Sequence, residues 1–86
     1  MKSICEIDAY GTKRYLFDYN LHREDGPAVE YTSGTKKWFL YGFIHREDGP
    51  AIEWAGGDKQ WFYHGKHISC KDNQEFLRII KMIAFL

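Results

Sequence analysis

Apolar and polar residues alternate in short segments up to about residue 68, and the spacing then changes to that of a helix. Ala28-Val29-Glu30-Tyr31 reads as a strand, Thr32-Ser33-Gly34-Thr35 as a turn, and Lys36 to Tyr41 as a second strand rich in aromatic residues. Gly42 and the following HREDG segment then reverse the chain. The same order returns at Ala51 to Trp54, Gly56-Gly57 and Gln60 to His64. Two further strands are expected near residues 3–9 and 13–19. Pro27 and Pro50, which have no N–H to give a ladder, belong at strand openings. These elements predict six strands in three hairpins.

The recurrence is a repeat. Residues 21–43, LHREDGPAVEYTSGTKKWFLYGF, and 44–66, IHREDGPAIEWAGGDKQWFYHGK, share a 23-residue period and are identical at 13 of 23 positions. Gly11-Thr12-Lys13 stands one period before Gly34-Thr35-Lys36, and Tyr15-Leu16-Phe17 one period before Trp38-Phe39-Leu40. The first 20 residues are therefore a half-unit. A third HREDGPA is cut off at His67-Ile68. One domain is expected, with a hairpin-repeat region over 1–68 and a tail over 69–86. The predicted class is mostly β with a C-terminal helix (α+β), a twisted antiparallel meander or short open solenoid.

In the tail, Phe76, Ile79, Ile80, Ile83 and Leu86 fall on one helical face. Ser69 at a cap and Asp72 three residues later read as a capping box. These signals predict a helix over 70–85 lying across the sheet as its second layer. Met82 and Phe85 fall near the polar arc, where they suggest a partner contact or a homodimer through the helix.

Composition narrows the function. Twelve Lys and Arg balance twelve Asp and Glu in 86 residues, so no net charge is available to draw a nucleic-acid duplex. Aromatic residues make up 17%, enough apolar bulk to argue against disorder. Cys5 and Cys70 do not make a disulfide framework and read as free thiols in a reducing cytoplasm. No signal peptide is expected at the N-terminus, and the apolar stretch 76–86 is too short to cross a bilayer.

The residues with chemical potential are His22, Arg23, Glu24 and Asp25, and their copies His45, Arg46, Glu47 and Asp48. A metal enzyme built on them is the reading to test against. Copies one unit apart are separated by two strands, roughly 9–10 Å, whereas zinc ligands converge to about 2 Å from one point. Asp before Gly is turn chemistry, and a motif repeated with the same letters closes repeats rather than converging different groups once. No metal, cofactor or catalytic residue is therefore assigned. The aromatic strands suggest a binding platform, since Trp and Tyr anchor interfaces. The candidate partner-binding residues are Trp38, Tyr41, Trp61, Tyr63, Arg23, Arg46, Met82 and Phe85. Trp38, Tyr41 and Trp61 are expected at an exposed rim, and Leu40 against the helix.

The unit H-R-x-D-G-P-A, a strand, a Gly turn, W-[FY]-x-x-G and H-R again resembles a MORN-like repeat, in the variant abundant in small proteins of bacteriophages and some bacteria. The resemblance spans roughly residues 11–69 and includes the run of the last unit into a short helix. It implies hairpin repeats and a non-enzymatic role. The function it suggests is a cytoplasmic phage-type accessory protein that binds a host protein and inhibits or redirects it, including a defence-system protein; an antitoxin-like partner of a bacterial toxin is the alternative. The Gly-rich ending of eukaryotic MORN units is absent, so lipid binding does not carry over.

Overall fold

The computed structural model describes residues 3–84. Ten strands precede one helix: β1 (Ile4–Ile7), β2 (Lys13–Phe17), β3 (Asn20–Leu21), β4 (Val29–Glu30), β5 (Lys36–Lys37), β6 (Phe39–Leu40), β7 (Phe43–Ile44), β8 (Ile52–Glu53), β9 (Lys59–Tyr63), β10 (Lys66–Ile68) and α1 (Asn73–Ala84). Eight strands form one antiparallel sheet in the order β1-β2-β4-β5-β8-β9-β10, with β3 alongside β2, while β6 and β7 make a separate ladder. The molecule is an open slab of 41 × 30 × 17 Å and not a barrel.

Each unit contributes two hairpins where one was expected. The strand predicted over 36–41 ends in a two-residue turn at Tyr41-Gly42, and the chain returns as β7 before the HREDG loop starts. Asp18-Tyr19 and His64-Gly65 make the matching turns on either side. All six turn residues have positive φ, from 49° at His64 to 85° at Gly42, which is the type I′ geometry whose twist suits two-residue hairpins.

The register lines up three cross-strand rows. Ile7, Lys13, Glu30, Lys36, Glu53 and Lys59 stand directly opposite one another in succession, so charge alternates along five of the six positions. Opposed charges of this kind contribute roughly 0.2–1 kcal/mol per pair. The next row is Glu6, Arg14, Val29, Lys37, Ile52 and Gln60. The third alternates small and large side chains. Cys5 faces Tyr15, the Tyr15 N–H donates to Ala28 O, and the Trp38 N–H donates to Ala51 O. Ala28 and Ala51 are wholly buried between these rings.

The helix starts at Asn73, three residues later than the capping box at Ser69 predicts. Asp72 is the cap: its Oδ1 accepts from the Glu75 N–H at 2.9 Å, and Glu75 Oε1 accepts from the Lys71 N–H. Phe76 (0% exposed) and Ile80 pack on Trp61, with Tyr63, Ile68 and Cys70 around them. The helix thus closes the last repeat instead of roofing a whole sheet face against Leu40. Ile83, expected on the buried face, and Leu77 are both exposed. Phe85 and Leu86 lie outside the described residues.

Candidate functional site: the HREDG loops and the hairpin-turn row

Both HREDG loops are built as the same clamp. Arg23 Nε donates to Asp25 at 3.0 Å, and its Nη1 donates to Pro27 O and to Glu30. Its guanidinium lies 4.0 Å from the centre of the Tyr15 ring. Arg46 repeats this with Asp48, Pro50 O, Glu53 and the Trp38 ring at 3.9 Å. A Cβ on Gly26 or Gly49 would stand 2.9 Å from the Arg23 or Arg46 Cζ, so a side chain at either position would have to displace the guanidinium from its clamp. Burial pulls the Arg23 guanidinium down, but the hydrogen bond it donates to Asp25 and the charges around it hold it above its ordinary value. Of these two candidate partner contacts, the fold engages the Nε and Nη1 donors internally.

The histidines are buried supports. His22 Nδ1 accepts the Tyr41 N–H at 2.9 Å, and His45 Nδ1 accepts the His64 N–H at 2.7 Å. Each therefore holds the first residue of the next type I′ turn and carries its proton on Nε2. His22 Nε2 reaches Glu24 at 3.4 Å. His45 Nε2 stands 3.5 Å from Glu47, outside hydrogen-bond geometry, and has no other partner among the described residues. Burial pushes the His45 imidazole below its ordinary value, against the pull of Glu47. The Tyr41 ring lies tilted against His22 at 4.2 Å, and His64 stacks on His45 at 4.3 Å.

Between the loops lies a cleft of about 660 Å³ that Trp38 and Leu40 help to line. The Asp25 and Asp48 side chains beside it are 87% and 85% exposed while bonded to their arginines. Among the described residues, no group of three or more His, Cys, Asp and Glu is placed to hold a metal ion.

The aromatic candidates divide. Trp61 is buried at 8% exposure, its Nε1 donating to Asn73 of the helix, and so it is a core residue and not a rim anchor. The helix occupies the place over Trp61 that Arg46 occupies over Trp38. Trp38 is half-buried under that arginine, and Tyr63 packs against the Trp61 cluster. Tyr41 (51%) and Met82 (67%) are exposed; Phe85 lies outside the described residues.

Sequence reasoning missed the most exposed ring. Tyr19 is 98% exposed with φ at 67°, in the turn position that Gly42 and Gly65 fill one and two periods later. The turns stack in a row: the Gly42 N–H donates to Leu21 O and the Gly65 N–H to Ile44 O, with Asn20 over Gly42 and Phe43 over Gly65. Tyr19, Tyr41 and Phe43 (63% exposed) line that row. The signal was available, since Tyr19 breaks a glycine column once the period is written out.

Comparison with protein-family models, with curated proteins and with solved structures returns no match for this chain. No described helix is long and apolar enough to cross a membrane.

Proposed function

We propose that this chain is a non-enzymatic protein-binding module whose docking surface is the hairpin-turn row of Tyr19, Tyr41 and Phe43. One observation carries the reading. Tyr19 supports nothing in the fold by burial, yet it holds a left-handed backbone that bulky residues adopt only at a cost of about 1 kcal/mol. Strain kept at an exposed aromatic is the mark of a residue retained for contact. The loop residues, by contrast, are spent twice over on the same structural clamp. The resemblance to phage MORN-like repeats favours a host protein as the partner, bound in the cytoplasm and inhibited or redirected; a bacterial toxin is the alternative partner.

The test is affinity capture from bacterial lysate, comparing the wild type with a Tyr19→Gly/Phe43→Ser variant whose folding is checked by thermal melt. The expected result is one or more proteins held by the wild type and lost from the folded variant. Equal retention by both overturns the assignment of this row.

A further inference from the structure

The outer edge of β1 is the second feature the fold leaves open. Translating by one period, Cys5 stands where Ala28 and Ala51 stand, Glu6 where Val29 and Ile52 stand, and Ile7 where Glu30 and Glu53 stand. The outer edges of β4 and β8 are paired by β2 and β5. Lys13 meets Glu30, Arg14 meets Val29 and the Tyr15 N–H reaches Ala28; Lys36 meets Glu53, Lys37 meets Ile52 and the Trp38 N–H reaches Ala51. The same edge of β1 has no strand against it among the described residues. There Ile4 is 71% and Ile7 63% exposed.

We infer that this edge takes an extended segment of a partner protein, added antiparallel, with the pattern apolar–basic–aromatic. The internal copies supply the template, and charge supplies the selection. The residue opposite Ile7 must be apolar, because the usual Lys there has lost its Glu. The residue opposite Glu6 is basic, as Arg14 and Lys37 are at the matching place. The residue against Cys5 is a large ring, continuing the alternation of small and large side chains. Backbone pairing supplies affinity and the alternate side chains supply selectivity.

A second copy fits this edge badly. Opposed residues in an antiparallel pair point to the same side, so two-fold self-pairing is confined to registers that keep parity. Centring on Cys5 sets Glu6 against Ile4, centring on Glu6 sets two carboxylates together, which destabilises the pair, and centring on Ile4 or Ile7 overlaps the two strands at a single residue. The inference rests on the reading of the chain as a binding module, but not on the turn row.

The test uses the full chain and a blocked peptide of residues 34–40 carrying Lys36→Val, namely Gly-Thr-Val-Lys-Trp-Phe-Leu. Binding is read by NMR as amide shifts and slowed hydrogen exchange. The expected result is protection confined to Ile4–Ile7, with Glu6→Lys weakening affinity about fivefold, the size expected when an opposed pair becomes a like pair. A peptide with Glu in place of its Lys should bind Glu6→Lys better than wild type. Shifts elsewhere, or an affinity indifferent to both charges, overturn the inference. So does a dimer by sedimentation that Ile4→Lys dissolves, which makes a second copy the occupant. Loss of peptide binding with lysate capture intact removes this edge and leaves the binding-module reading standing; the reverse result removes the turn row alone.

Discussion

His45 shows how a residue that looks chemical is committed to the backbone. Its Nδ1 receives the His64 N–H, so a proton arriving at Nδ1 sets two donors against each other. Burial already lowers its affinity for that proton. The folded pKa therefore lies below the unfolded value of about 6.5, and between the two the unfolded chain binds more protons. The neutral imidazole's contribution is complete above about pH 6.5 and is lost as pH falls through the folded value. Urea unfolding midpoints should accordingly drop between about pH 7 and pH 5, within the histidine range. His45→Asn, which keeps an acceptor near the same place but does not titrate, should flatten that slope; an unchanged slope would show that His45 is not its source. Arg23 and Arg46 are committed in the same way. A fork that bonds Asp, Glu and a carbonyl while lying on a ring is a role that lysine does not fill.

The hairpin is the element in which fold and binding compete. Its type I′ turn favours Asn-Gly or Asp-Gly, and the second and third units supply Gly at the second place. Asp18-Tyr19 does not. Tyr19→Gly creates Asp-Gly and should stabilise the protein by about 1 kcal/mol, the cost of left-handed backbone in a residue with a side chain. Chemical denaturation measures this, and a loss of stability would mean that Tyr19 makes contacts its 98% exposure hides. A gain in stability together with a loss of capture is the outcome the proposed function requires. The helix is the other element with a single purpose. Asn73, which accepts from the Trp61 Nε1, and Phe76, which packs on the indole, are aimed at one ring.

At the scale of the whole molecule, the sheet grows by adding units, and each ring needs something laid over it. Arg23 covers Tyr15, Arg46 covers Trp38, and Phe76 takes that place beside Trp61. Phe76→Ala removes the wholly buried ring at that end and should cost about 3–5 kcal/mol, the range for Phe in a core. In a chain of this size that leaves little stability. Hydrogen exchange should then quicken first in β9 and β10 if the units are coupled only to their neighbours. Uniform quickening across all strands would show one cooperative block instead.

The period, the antiparallel hairpins and the C-terminal helix were legible in the residues, because local spacing, turn chemistry and repetition all act over short stretches of chain. The second hairpin of each unit was not, since Phe43-Ile44 is too short to show alternation and is held by pairing with β6. The sequence likewise determined that His22, Arg23 and their copies serve one repeated purpose. Only the tertiary structure decided that Trp61 is core while Trp38 is half-buried, and that Arg46 and not the helix covers Trp38. Those outcomes depend on which unit has a neighbour on its far side. That is a property of position in the stack, and two copies of the same letters cannot carry it.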